Sequence, residues 1–288
     1  MTMQEKYERL QKILKEYGSI AVAFSGGVDS TFLLAAAQDA VGAGAFAVFA
    51  DSPVVMSGER TACGQFCRER HIRLLRVPFA WEDLKSIWSN PTDRCYHCKK
   101  LLFTKMKAAI GTAVLADGTN ADDLSDYRPG LRALKELNVR SPLLEAGYTK
   151  HEIRAGLKSM GIPLWDRPAY ACLASRIPYG ERITAEKLEA VDRAETVLRN
   201  ADFVQVRVRC VEQTFSPECL QSEREDEQGN AALYARVEVL PEEVPRLQAM
   251  LEEPELLRTF AALGFCGAEA DPRGYRRGSL NEGLHLKK

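Results

Sequence analysis

Ile20-Ala21-Val22-Ala23-Phe24-Ser25-Gly26-Gly27-Val28-Asp29-Ser30-Thr31-Phe32-Leu33-Leu34 is the stretch that decides the fold. Five apolar residues, β-branched and aromatic among them, read as a buried strand. The run from Thr31 to Ala37 is helix-compatible, and Ser-Gly-Gly between the two is a turn. Gly26 and Gly27 let the backbone approach an anion closely and tolerate positive φ. Val28 to Ser30 open the helix, so their free N–H groups and the helix dipole point at that anion. The loop is built to hold pyrophosphate, and it is neither a G-x-x-x-x-G-K-[ST] loop nor a G-x-G-x-x-G turn.

Outward from this loop the same alternation repeats. Residues 4–17 read as an amphipathic helix, 45–50 as a second buried strand ending at Asp51-Ser52-Pro53, and 59–70 as a helix. A third strand is expected over 71–77, a helix over 101–110 and a fourth strand over 112–117, followed by Gly118-Thr119-Asn120. Strands alternating with helices imply an α/β fold, a parallel sheet covered on both faces. Ligands in such sheets sit beyond the carboxyl ends of the strands. The loops at 25–30, 51–53 and 117–123 all fall there.

A loop-rich segment with Pro142, Pro163, Pro168 and Pro178 follows, and then the pattern changes. Thr184-Ala185-Glu186-Lys187 is a capped helix start, with the helix running to about Asn200. Residues 203–209 and 235–240 alternate with period two, as half-exposed strands do. The expected organisation is residues 1–181 as the nucleotide-binding domain, 182–270 as a smaller α+β domain for substrate binding or oligomerisation, and 271–288 as a flexible tail.

Bulk composition narrows the function classes. Apolar residues make up 45% and charged residues 27% of 288 positions, an ordinary globular profile. A net charge of −1 gives no overall basic field, so no nucleic-acid partner is expected. The first nine residues are charged and lack an apolar segment, and no stretch of about 18 apolar residues occurs, so neither a signal peptide nor a membrane span is expected. A cytoplasmic location follows. The eight cysteines then read as ligands, nucleophiles or core residues rather than disulfides.

Arg94-Cys95-Tyr96-His97-Cys98-Lys99-Lys100 contains a C-x-x-C, which can chelate one metal or hold two corners of an iron–sulfur cluster. A redox pair and a purely structural role both remain open on spacing alone. Cys63 and Cys67 have helical spacing and fit two buried thiols on one helix face. In Cys172-Leu173-Ala174-Ser175-Arg176-Ile177-Pro178-Tyr179-Gly180 a cysteine is followed four residues on by an arginine, a pattern suited to a thiolate beside a cation. Arg207 and Arg209, two apart on a strand, face one side and suit a phosphate; an exposed basic strand face is the plainer alternative. Glu195 and Glu238 are candidates to line the same pocket, and Arg176 is a further candidate for the anion. His71, His151 and His285 show no ligand spacing, and His97 reads as tuning the C-x-x-C. Cys210, Cys219 and Cys266 have no assigned role.

The loop Ser-Gly-Gly-Val-Asp-Ser resembles the signature of the PP-loop ATP pyrophosphatases, which split ATP between the α and β phosphates and activate a carboxyl or carbonyl oxygen as an adenylate. Together with Arg94–Lys99, Asp117–Asn120, Ser141-Pro142-Leu143-Leu144 and Cys172–Gly180, it resembles the LarE family over most of the chain. These are ATP-dependent sulfur transferases of nickel-pincer nucleotide cofactor biosynthesis. The resemblance implies ATP and Mg²⁺ as cofactors and pyridinium-3,5-biscarboxylic acid mononucleotide as substrate, each carboxylate being adenylated and then converted to a thiocarboxylate. It implies a phosphate cradle of Ser25, Gly26, Gly27, Asp29 and Ser30, with Asp51 and Gly118 also at the nucleotide. It also implies catalytic roles for Cys172, Asp29 and Arg176, and the substrate phosphate on Arg207 and Arg209.

Two sulfur strategies occur in that family. Either the loop cysteine gives up its own sulfur, or it joins a C-x-x-C to hold a [4Fe-4S] cluster carrying a labile sulfide. The presence of Cys95 and Cys98 beside Cys172 favours the cluster, with a separate sulfide source as partner. A ring-like homo-oligomer is expected by the same analogy. The turn Cys210-Val211-Glu212 departs from the histidine-rich turn of the family, which leaves the detail of the substrate pocket open. Two rivals share the loop, a tRNA thiolase and an ammonia-dependent NAD or GMP synthetase. The former usually brings a tRNA-binding appendage or terminal zinc ribbons, and the latter has no use for three such cysteines. A third rival is a non-catalytic nucleotide-binding or metal-storage protein.

Overall fold

The computed structural model describes residues 2–125, 130–166, 168, 171–213, 232–276 and 278–281. The chain divides into two units. Residues 1–87 and 92–170 form the first; residues 88–91 and 171–288 form the second.

The first unit is built on four parallel strands, β1 (Ile20–Ala23), β2 (Ala45–Asp51), β3 (Leu74–Pro78) and β4 (Val114–Ala116), in the order β3-β2-β1-β4. The helices are α1 (Met3–Tyr17), α2 (Val28–Val41), α3 (Ser57–Glu69), α4 (Arg94–Ala109), α5 (Gly130–Glu136), the short α6 (Pro142–Glu145) and α7 (Lys150–Ser159). Strand alternation splits the core in two, as the period of two requires. Ala45, Ala47 and Phe49 of β2 join Leu10, Leu14, Phe32, Leu33 and Leu157 on one face. Phe46, Val48 and Ala50 join Phe103, Met106 and Leu134 on the other. The sheet is therefore covered on both faces, as its near-continuous apolar strands demand. Helix α2 is apolar almost all round and is buried at Val28 and from Ser30 through Ala37. Helix α1 starts at a capping box, with Thr2 and Glu5 each accepting from the other's backbone N–H.

The strands read over 203–209 and 235–240 lie at 207–213 and 232–238, and in the first unit two boundaries differ from the sequence reading for a local reason. The third strand starts at Leu74, because His71 turns the chain with φ +56° after α3. Helix α4 begins at Arg94 rather than near 101, which places Cys95 and Cys98 in its first turn.

The second unit contains α8 (Ala185–Asn200) and a three-stranded sheet of β5 (Arg207–Gln213), β6 (Ala232–Glu238) and β7 (Phe265–Ala270) in that order. Strands β5 and β6 are antiparallel with Arg207 opposite Glu238, and β7 runs parallel to β6 after a crossover through α9 (Val244–Glu252) and α10 (Pro254–Ala262). Thr184 caps α8 by accepting from the Lys187 N–H. The inserted piece 88–91 is tied into this unit by Asn90. Its buried side chain donates to the Ile177 and Pro178 carbonyls at 3.0 and 2.5 Å. Its own carbonyl accepts from the Gly180 N–H at 3.0 Å. The segment read as a flexible tail begins with anchored residues. The Asp271 and Tyr275 N–H groups donate to the Val237 and Val239 carbonyls, and the Ser279 hydroxyl reaches Glu238. Residues 282–288, with His285, and Cys219 lie outside the described residues.

Candidate active site

In the first unit the loop after β1 turns at Gly26, whose φ of +71° is a left-handed value that favours glycine. The Ser30 side chain braces the loop, accepting from the Ser25 N–H at 3.3 Å and donating to the Gly27 carbonyl at 3.1 Å. Gly27 is the N-cap of α2 with no side-chain cap of its own, so the first N–H groups of α2 are turned toward the space the loop encloses. This is the geometry of a helix N-terminus ready for phosphate.

The loop after β4 packs directly against that first turn. A Cβ on Gly118 would stand 2.9 Å from the Ser30 nitrogen and 3.0 Å from Asp29 Cβ, both parts of a fixed helix end. Only glycine fits there without moving one loop off the other. Asp117, nearly buried, is spent on holding its own loop. It accepts from Thr119 Oγ1 at 2.5 Å and from Ser141 Oγ at 2.7 Å. The Asp-Gly-Thr-Asn and Ser-Pro-Leu-Leu stretches are thus one structural device. Asn120 donates from Nδ2 to Asp29 Oδ1 at 3.3 Å, and Lys150 Nζ pairs with Asp29 Oδ2.

Asp51 ends the neighbouring strand β2 and faces Arg60 Nε at 3.2 Å and Arg76 Nη1 at 3.8 Å. The structure therefore brings Ser25, Gly26, Gly27, Asp29, Ser30 and Gly118 together, with Asp51 at the next strand end. Lys150 lies 121 residues from Asp29 in sequence, and sequence reasoning did not single it out. The one local signal is the Thr149–Glu152 capping box that starts α7, which marks a helix end but not what its first residue faces.

Cys95 is exposed and Cys98 half-buried on the first turn of α4. Three residues apart on a helix, they lie on one face. Tyr96 between them fixes that turn: its hydroxyl donates to Glu136 Oε2 at 2.9 Å, and the Arg132 guanidinium lies 3.6 Å from its ring centre. His97 faces Asp93 at 3.2 Å. Two soft thiolates one turn apart fit two corners of an iron–sulfur cluster, and the Asp29 carboxylate fits Mg²⁺ as a hard oxygen ligand. Among the described residues, no group of three or more His, Cys, Asp or Glu side chains is arranged to hold a metal ion. Cys63 and Cys67 are buried in the core of α3, and burial pushes the Cys67 thiol up to about 11, so this pair is inert packing.

In the second unit the Cys172 loop is held by arginines. Arg176 is fully buried and grips Glu195 with both ends of its fork, Nε to Oε1 at 2.6 Å and Nη2 to Oε2 at 2.9 Å. Its remaining nitrogen, Nη1, donates to the carbonyls of Ala171 and Cys172 at 2.5 and 3.1 Å. Glu195 also accepts from Arg199 and from the Val208 N–H at 3.1 Å. Burial pushes the Glu195 carboxyl up, but the Arg176 guanidinium, Arg199 and the hydrogen bonds outweigh it and hold it below the ordinary carboxylate range.

Arg209 makes a second fork with Glu238, at 3.0 and 2.9 Å, and donates to the Ser175 carbonyl at 2.5 Å and to Ser279 Oγ at 2.7 Å. Arg207 is buried beside the Tyr275 ring; loss of water around it, with Arg176 close by, lowers its hold on its proton. Arg176, Arg207, Arg209, Glu195 and Glu238 thus form one cluster under the half-buried Cys172. Two of the arginines are bonded to the backbone of the cysteine's own loop. Ser279 is the member that sequence reasoning missed, because it sits in the segment read as a tail. Cys210 is buried and its thiol pushed up to about 12, while Cys266 is exposed.

A parallel sheet carrying a Ser-Gly-Gly-x-Asp-Ser loop at the start of its first crossover helix defines a PP-loop nucleotide-binding fold. Comparison with known proteins narrows this. No family model matches the chain. The chain is 31% identical over 98% of its length, and 96% of the relative's, to pyridinium-3,5-bisthiocarboxylic acid mononucleotide synthase of Lactiplantibacillus plantarum. It is 37% identical over 98% of its length, and 99% of the relative's, to an uncharacterized protein of Synechocystis sp.. A more distant match, 28% identical over 67% of this chain and 42% of the other, is a glutamine-hydrolyzing GMP synthase of Aeropyrum pernix, which fits the same loop and sheet. The chain belongs to the LarE family of pyridinium-3,5-bisthiocarboxylic acid mononucleotide synthases. No described helix is long and apolar enough to cross a membrane.

Proposed function

We propose that this chain is an ATP-dependent, AMP-forming sulfur transferase that converts the two carboxylates of pyridinium-3,5-biscarboxylic acid mononucleotide to thiocarboxylates. The observation that supports the reading is a glycine turn opening α2, braced by Ser30 and packed against Gly118, in a chain 31% identical over 98% of its length to a named synthase. A substrate carboxylate oxygen attacks the α phosphorus of ATP and pyrophosphate leaves. A sulfur nucleophile then attacks the acyl carbon, the C–O bond to AMP breaks, and a thiocarboxylate results.

The chain's residues position and neutralise. Ser25, Gly26, Gly27 and Ser30 cradle the phosphates, and Asp29 is the ligand for Mg²⁺. Gly118 and Asp51 border the nucleotide. No strong base is needed, because sulfide is a nucleophile near neutral pH. Arg207 and Arg209 are the proposed anchors for the substrate phosphate, Arg209 by releasing its fork with Glu238. Arg176, wholly engaged with Glu195 and two carbonyls, acts here by fixing the backbone at Cys172.

Cys95, Cys98 and Cys172 are the proposed thiolate ligands of a [4Fe-4S] cluster. With three protein ligands such a cluster would leave one iron free to bind sulfide taken from a separate sulfide source, and that bound sulfide would be the nucleophile in repeated turnovers. The chain works in the cytoplasm, as a homo-oligomer, with no nucleic-acid partner. The test is AMP and pyrophosphate formation from ATP on addition of the mononucleotide, together with iron and acid-labile sulfide content of anaerobically prepared protein. Formation that depends on the mononucleotide, with iron lost in Cys172→Ala, supports the reading. Iron-free protein in which Cys172 loses its sulfur favours sacrificial donation. Absence of pyrophosphate sinks both.

A further inference from the structure

The first turn of α2 and the start of α7 are joined by a charge pair. Lys150 Nζ bonds Asp29 Oδ2, while Asn120 Nδ2 holds Oδ1 at 3.3 Å. Lys150 is pinned at its root. Its N–H donates to Asp122 Oδ2 at 2.8 Å, and the Asp122 N–H donates to Asn120 Oδ1 at 3.0 Å. The Ala121 N–H donates to the Tyr148 carbonyl at 2.8 Å, so the loop after β4 and the start of α7 move as one. Beyond that fixed root the lysine is a flexible four-carbon stem carrying a point charge. Its side chain is 33% exposed and that of Asp29 is 26% exposed, so the pair is open to an incoming ligand. An open lysine–carboxylate pair contributes about 1 kcal/mol at most, and a stronger cation can displace it.

A nucleoside triphosphate brings several negative charges into this loop, and it brings a divalent cation with it. That cation prefers carboxylate oxygen, and Asp29 is the carboxylate in the loop. Resting on the ATP reading above, we infer that Lys150 is an exchangeable counter-ion. It neutralises Asp29 in the nucleotide-free loop, and it transfers its ammonium to a phosphate oxygen when the divalent cation takes Asp29. Every charge keeps a partner before and after: Asp29 has first the lysine and then the metal ion, and the lysine has first the carboxylate and then the phosphate. No covalent bond changes. Lys150 would thus both keep the free site from holding a bare metal ion and tighten it around the nucleotide.

This exchange has a signature of opposite signs. With Lys150 neutralised by mutation, Asp29 loses its competitor and binds a divalent cation alone more tightly. The same variant loses a phosphate contact and binds nucleotide more weakly. A residue that only held the two loops together would weaken both.

The experiment is isothermal titration of the full-length protein with MnCl₂ alone, and with Mg²⁺ plus non-cleavable α,β-methylene ATP. It compares wild type, Lys150→Met, Lys150→Gln as a second neutral variant, and Lys150→Arg, with thermal melts to verify folding. In the neutral variants Mn²⁺ affinity is expected to rise about threefold or more while nucleotide affinity falls about tenfold, and arginine should restore nucleotide binding. Parallel losses in both titrations, or no change in either, overturn the inference while wild-type binding leaves the ATP reading standing. Wild-type protein that fails to bind the analogue overturns the ATP reading and this inference with it.

Discussion

Asp29 and Glu195 are both carboxylates answered by cationic side chains, yet the first pair is about a quarter to a third exposed and the second is not exposed at all. Asp29 pairs with the Lys150 ammonium and accepts from the Asn120 amide in an open loop. Glu195 faces two arginines and a backbone N–H in the interior of the second unit. The difference separates two uses of charge. An ion pair in partial contact with water is weakly coupled and can trade partners, which a site for a charged ligand needs. A buried pair cannot be opened without stranding a charge, so it holds geometry and nothing else. Here the geometry it holds is the Cys172 loop, through the two carbonyls that Arg176 binds.

Breaking the buried side should cost most. Glu195→Gln leaves the Arg176 guanidinium buried without its counter-charge and should destabilise the second unit by about 3–5 kcal/mol, measured by chemical denaturation; Lys150→Met should stay within about 1 kcal/mol of wild type. Equal effects would erase the distinction between the two pairs. The same glutamate sets an acid limit. Its folded-state value lies below the unfolded value of about 4.3. Its stabilisation is therefore present above that value and lost as pH falls through the lower folded one. Melting temperature should drop in that acid window for wild type. Glu195→Gln, which has no carboxyl there to titrate, should show a smaller drop.

On the open side, Asp29→Ala should lower pyrophosphate release by about 10²–10³-fold while leaving the melting temperature near wild type. Retained release would remove Asp29 from the nucleotide site. Gly118→Ala sharpens the same point by steric means. Its Cβ would press on the Ser30 nitrogen and Asp29 Cβ, so a loss of about 1–3 kcal/mol in stability is expected together with weaker nucleotide binding. The smallest effect is reserved for Cys266→Ser. That exposed thiol should change stability by about 0.5 kcal/mol or less, with iron content and turnover as in wild type.

The strand–loop–helix at 20–34 was fully legible, because apolar runs, paired glycines and helix-opening residues are local signals that agree with one another. The parallel sheet was legible for the same reason, since β1, β2 and β4 are largely buried and read as unbroken apolar runs; the edge strand β3 carries the exposed Arg76. Helix α4 extends further toward the N-terminus than its sequence suggests because its first two turns, Arg94–Lys100, are polar and carry no apolar periodicity. The partners of charged groups were the least legible part. Lys150 reaches Asp29 across 121 residues, and Ser279 reaches Arg209 across 70. No local pattern encodes such pairings; they exist only once the loop after β1 and the start of α7, or β5 and the segment after β7, have been brought side by side. Arg176 shows the converse. Its position four residues after Cys172 was visible, but its burial against Glu195 was not, and burial turns an apparent anion ligand into a brace.

Transfer of sulfur to an ATP-activated carboxylate can be read from the masses of both reactants after incubation. Anaerobically prepared protein would be incubated with ATP, Mg²⁺, sulfide and pyridinium-3,5-biscarboxylic acid mononucleotide. The mononucleotide and the Cys172 peptide would then be weighed. Sulfur is expected to replace oxygen in the mononucleotide, with one AMP formed per replacement and a Cys172 peptide of unchanged mass. An unchanged mononucleotide, with no AMP formed, would contradict this transfer.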